Sequence, residues 1–135
     1  MVGLVLVGHS AEVVRGLVAM VAQAAPRVPV GGAGGMTGGR LGTDATEVSR
    51  ALATVMAAAR DDGVVVLLDL GSASMALEIA LDGLDGDARA RVTVSDGPFV
   101  EGAVLAAVTA GGGGTRAQVA AAADRALDVP KRGRD

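Results

Sequence analysis

Two short, almost unbroken apolar runs constrain this chain more than any other feature. Val2-Gly-Leu-Val-Leu-Val7 leads into Gly8-His9-Ser10, and Val64-Val-Val-Leu-Leu68 leads into Asp69-Leu70-Gly71-Ser72. A strand with one wet face alternates apolar and polar residues. A run that is apolar at every position needs cover on both faces, which is the situation of a strand inside a parallel sheet. The polar groups then fall at the carboxyl ends of their strands, the edge at which open α/β sheets bind ligands.

The segments between these runs read as helices. After His9, Val14, Leu17, Val18 and Val21 form one stripe over residues 11–25, with Ser10 as N-cap and Pro26 as the stop. Val28-Pro29-Val30 suggests a short edge strand, since a proline cannot donate to a ladder. Residues 31–42 are mostly glycine and read as a mobile loop near a site. They are not a nucleotide P-loop, because no Gly-Lys-Ser/Thr follows and Lys131 is the only lysine. Asp44, with Glu47 three residues on, resembles a capping box for a helix striped by Val48, Leu52, Val55, Met56 and Ala59.

Beyond Asp69, Ser72 or Ser74 caps a helix carrying Leu77, Ile79, Ala80, Leu81 and Leu84. Arg91–Ser95 gives a fourth strand. Pro98 opens a helix whose stripe is Val100, Val104, Leu105 and Val108, and Thr115 with Gln118 caps a last Ala-rich helix reaching Leu127. The alternation predicts an α/β fold: an open, mostly parallel sheet of about four strands with helices on both faces. Residues 1–128 form one domain and residues 129–135 a frayed tail.

Composition removes whole classes of function. There is no Cys and one His, so neither a thiolate nucleophile nor a multi-histidine metal site is available within one chain. Twelve Lys and Arg stand against 15 Asp and Glu, and Phe99 is the sole aromatic, which argues against nucleic-acid binding. No apolar run reaches the roughly 20 residues of a membrane span, and the first residues lack a basic signal-peptide segment, so a cytoplasmic location is the expectation.

If the two apolar strands are neighbours, His9 and Asp69 meet at one rim. A carboxylate there fixes the imidazole tautomer and leaves the other ring nitrogen free. The turns at 42–45 and 71–74 offer backbone N–H groups and small hydroxyls, a receptor for a dianion. A Ser-His-Asp hydrolase with Ser10 or Ser72 as nucleophile lacks the G-x-S-x-G elbow, since the chain reads Gly71-Ser-Ala-Ser-Met75. Covalent catalysis by His9 itself, through a phosphohistidine, needs only the residue types present. A capping or core role for His9 in a non-catalytic binding module is the third reading.

Val7-Gly-His9-Ser10, Gly42-Thr43-Asp44-Ala45, Asp69-Leu-Gly71-Ser72-Ala73 and Pro98-Phe-Val-Glu-Gly102 occur in order across nearly the whole chain. This pattern resembles the phosphoryl-carrier subunits of phosphotransferase-dependent dihydroxyacetone kinases, which are similar to the mannose-type IIA domains of the sugar phosphotransferase system. The resemblance implies a mostly parallel sheet, a homodimer and no cofactor or metal. It implies that His9 takes a phosphoryl group from phospho-HPr and passes it to ADP on the nucleotide-binding subunit of the kinase. By the same resemblance Asp69 orients the imidazole, while Ser10, Thr43, Gly71 and Ser72 lie near the phosphoryl group. A IIA domain serving a sugar transporter is the sibling alternative.

Overall fold

The computed structural model describes residues 1–133; Arg134 and Asp135, the end of the expected tail, lie outside the described residues. Four strands, β1 (Gly3–Gly8), β2 (Val30–Gly34), β3 (Val64–Leu68) and β4 (Val92–Ser95), form one all-parallel sheet in the order β2-β1-β3-β4. The register pairs Leu4 with Val65 and Leu6 with Leu67. The fold class is therefore the α/β sheet that the apolar runs require.

The two-faced burial of β1 is visible side chain by side chain. Leu4 and Leu6, with Val65 and Leu67, pack under α1 (Ala11–Ala24), α5 (Phe99–Gly111) and α6 (Arg116–Arg125). Val5 and Val7, with Val64 and Val66, pack under α2 (Ala45–Ala59) and α3 (Ser74–Asp82). A single turn, α4 (Gly86–Arg89), leads into β4. Each fully buried Val or Leu contributes about 1.5–3 kcal/mol by leaving water, so this central strand is well anchored from both sides.

Three expectations change. The edge strand is not at 28–30 but at Val30–Gly34, inside the glycine-rich stretch, and a 3-10 turn at Thr37–Gly39 follows it. Glycine serves here by absence of bulk. A Cβ on Gly32 would sit 2.4 Å from Val14 Cγ1, and one on Gly31 would sit 2.9 Å from Val55 Cγ2, so helices on both faces close directly onto this strand.

The second change is α5, which turns the opposite face to the sheet. Gly102, Ala103, Ala106, Ala107 and Ala110 are buried, while Val100 and Val108 are exposed. The small residues let α6 approach closely, since a Cβ on Gly102 would meet Leu67 Cδ2 at 2.8 Å and the Ala123 carbonyl at 3.3 Å. A valine on that face would hold the helices apart. The third change is in α3, where Ile79 points outward and neither Ser72 nor Ser74 caps; a 3-10 turn at Gly71–Ala73 starts the helix instead.

Two of the remaining three expected caps follow the sequence in full, and the third forms by half. Ser10 Oγ accepts from Val13 N–H at 3.3 Å, and Thr115 with Gln118 forms the complete capping box. Asp44 accepts from Thr46 N–H, but Glu47 pairs with Arg50 rather than reaching back. Past α6, Lys131 lies 3.1 Å from Glu101 in the first turn of α5. The backbone N–H of Glu101, and then Lys131, hold its carboxyl below the ordinary glutamate range.

Candidate functional site

The chain passes from β1 to β2 on one side of the sheet and from β2 to β3 across to the other. The reversal leaves a crevice between the carboxyl ends of β1 and β3, where doubly wound sheets bind their ligands. His9 and Asp69 stand on its two lips. The juxtaposition follows from register: Val7 pairs with Leu68, and Asp69 N–H donates to the Val7 carbonyl.

Asp69 holds His9 at two points. One carboxylate oxygen, Oδ2, accepts the His9 backbone N–H at 2.9 Å; the other, Oδ1, lies 2.9 Å from imidazole Nδ1. Oδ1 also accepts the Leu70 N–H at 2.7 Å. Three donors fix the carboxylate, and facing it Nδ1 carries the ring proton. Gly8 makes this possible, because a Cβ there would lie 3.2 Å from Asp69 Oδ2 and 2.9 Å from Val14 Cγ2.

With Nδ1 protonated, Nε2 is left with its lone pair, and Ser72 Oγ stands 2.8 Å from it. In this state the hydroxyl donates to the ring. The His9 side chain is 22% exposed, so the ring is held at the surface and is not sealed in the core. The arrangement presents a nucleophilic nitrogen of fixed tautomer and a hydroxyl able to turn toward an incoming oxygen.

The other expected site residues divide. Ser10 is occupied in capping α1. Thr43 is half-buried, directly after Gly42, whose N–H donates to the His9 carbonyl at 2.9 Å. Gly71 is exposed in the turn just before Ser72. The backbone contacts from Gly42 and Leu70 escape sequence reading because they use atoms every residue has. The pointers to Gly42 are its place immediately before the Thr43-Asp44 cap and its lead position in the Gly42-Thr43-Asp44-Ala45 motif.

A hollow of about 370 Å³, lined in part by Asp69, Gly71, Asp96 and Leu127, lies beside the site between β3 and β4. A larger one of about 620 Å³ lies at the opposite end of the sheet, among Met1, Asp62 and Arg116, away from the chemistry. Among the described residues no cluster of three or more His, Cys, Asp or Glu could hold a metal, and no helix is long and apolar enough to cross a membrane.

The family described as the PTS system fructose IIA component matches residues 3–120. A phosphoryl donor subunit DhaM of a PEP-dependent dihydroxyacetone kinase from Listeria innocua is 36% identical over 109 residues, covering 80% of this chain and 85% of that protein. The corresponding DhaM subunit of Providencia stuartii is 32% identical over 134 residues, covering 96% of this chain but only 27% of that longer protein. A crystal structure of a protein of unknown function superposes with a TM-score of 0.76 at 28% identity, covering 92% of this chain and 94% of the other.

Proposed function

The chain belongs to the PTS fructose IIA component family, and from that membership we propose that it is the phosphohistidine carrier of a dihydroxyacetone kinase system. The observation that carries the reading is the double hold of Asp69 on His9 with Nε2 left available beside Ser72. The names of the relatives, phosphoryl donor subunits of such kinases, supply the physiological setting.

In this reading Nε2 of His9 attacks the phosphorus carried on phospho-HPr. The Nε2–P bond forms as the donor's P–N bond breaks, and the donor imidazole leaves with that electron pair. Asp69 accepts the Nδ1 proton's hydrogen bond throughout and steadies the positive charge that develops on the ring. Ser72 releases Nε2 and turns its hydroxyl to a phosphoryl oxygen, joined by N–H groups of the Gly71 turn and by Thr43. The second transfer runs the same geometry backwards, delivering the phosphoryl group to ADP held by the nucleotide subunit of the kinase. Neither step requires a metal or cofactor on this chain.

Residues 1–128 act as one carrier domain, working in the cytoplasm as a homodimer. The outward valines of α5, Val100 and Val108, supply a face for the second copy. A IIA role in a sugar transporter is the competing reading, favoured by the fructose component description of the matched family. The two are separated by loading His9 and then adding either the ADP-bound kinase subunit or a transporter IIB domain. ATP formation with the former and no loss of label to the latter is expected; the converse pattern assigns the chain to transport.

A further inference from the structure

Phosphorylating His9 would place a dianion on a ring already facing the Asp69 carboxylate, so the site calls for a cation. Four of the chain's eleven arginines are committed elsewhere. Arg89, Arg91 and Arg116 donate to carbonyls around the starts of β3 and β4, at the far end of the sheet. Arg50 pairs with Glu47, and Lys131 with Glu101.

The segment Gly35–Gly42 is different. It is bonded to the site by Gly42 N–H on the His9 carbonyl, and closed at its base by Gly35 N–H on the Gly42 carbonyl at 2.9 Å and Met36 N–H on the Arg40 carbonyl at 2.7 Å. Arg40 is the one cation in that segment. It is exposed, and among the described residues its guanidinium makes no hydrogen bond or ion pair. Its Cα is two residues from Gly42, at most about 7.6 Å away by chain geometry, which keeps Arg40 close to the strand end that carries His9. Gly38, Gly39 and Gly42, all at positive φ, let the backbone turn back on itself on both sides of Arg40.

We propose that Arg40 reaches over His9 and binds the phosphoryl oxygens during transfer, acting as a catalytic residue of the carrier. This inference rests on the phosphohistidine reading above. The transferring group spreads negative charge over its three peripheral oxygens, and a planar guanidinium matches two of them at once. Arg40 neither gives nor takes a proton; it lowers the electrostatic cost of bringing a dianion next to Asp69. The carbonyl link through Gly42 couples the position of the segment to the backbone of the residue being modified.

The test uses the full chain loaded by phosphoenolpyruvate, enzyme I and HPr, followed by single-turnover kinetics and ³¹P NMR of the product. Arg40→Ala is expected to slow transfer at saturating phospho-HPr by about tenfold to a hundredfold. It is also expected to move the ³¹P resonance and raise the pH at which the phosphoryl group takes its last proton. Arg40→Lys should restore part of both, since it keeps the charge and loses the fork. Equal rates and superimposable ³¹P titrations for wild type and Arg40→Ala would overturn the inference while leaving the carrier reading intact. A raised KM with unchanged kcat and ³¹P behaviour would also overturn it, placing Arg40 at the donor interface. Failure of the wild type to accept label at His9 would overturn the carrier reading and this inference together.

Discussion

Asp69 grips His9 twice, taking its backbone N–H on one carboxylate oxygen and its imidazole on the other, although 60 residues separate them in the chain. The first contact fixes where the residue sits and the second fixes how its ring is protonated. A histidine serving only as filler or cap needs neither, and the unprotonated Nε2 facing the Ser72 hydroxyl gives the clamp its chemical meaning.

Asp69→Asn tests the clamp. A carboxamide can turn its NH₂ toward Nδ1, which drives the proton to Nε2 and removes the nucleophile. Phosphoryl transfer to His9 should fall on the order of a hundredfold or more, as in other sites where an aspartate sets a tautomer. Single-turnover rates with phospho-HPr measure it, and ¹⁵N shifts of the ring should report the reversed tautomer. Unchanged rates would remove Asp69 from the mechanism.

Ser72→Ala should act more weakly. It frees Nε2 in the resting state but removes a donor to the phosphoryl group, so transfer should slow by about tenfold while the ring tautomer stays as in the wild type. A variant as slow as Asp69→Asn would mean that the hydroxyl does more than donate one hydrogen bond.

The glycines divide into those that make room and those that do not. Gly16 lies within α1 with nothing near its missing Cβ, so Gly16→Ala should stabilise the fold by about 0.5–1 kcal/mol. Gly34 ends β2, and a Cβ there would meet Val14 Cγ2 at 2.6 Å and the Ser10 carbonyl at 2.8 Å. Gly34→Ala should destabilise by about 1–3 kcal/mol. Urea denaturation of the two variants against wild type checks both signs.

The outward face of α5 predicts self-association. Val108 is more than half exposed on the single chain, so Val108→Lys leaves its folding intact. Sedimentation should find the wild type as a dimer and Val108→Lys shifted to monomer at micromolar concentration. A wild-type monomer at that concentration would remove the homodimer from the account.

Sequence reading succeeded where side-chain character alone dictates the outcome. The runs ending at Val7 and Leu68 read as doubly covered strands and are, and their pairing brings His9 to Asp69. It failed where bulk rather than polarity decides. The strand at Val30–Gly34 is hidden by glycines chosen for the clearance of Val14 and Val55, which no β-propensity records. In α5 nearly every face is apolar, so hydropathy cannot rank the Ala face above the Val face. The close approach of α6 decides it. Ser10 caps as the sequence reads it, but the position of Ser72 needed geometry, since its hydroxyl is chemically fit to cap or to serve the site.

Every transfer step proposed for this chain depends on His9 carrying a phosphoryl group. Incubation with ³²P-phosphoenolpyruvate, enzyme I and HPr, followed by peptide mapping, tests it most directly. Acid-labile, alkali-stable label is expected on the peptide containing His9, and none in His9→Gln. Label that persists in His9→Gln, or a wild-type chain that takes none while HPr is fully phosphorylated, would contradict it.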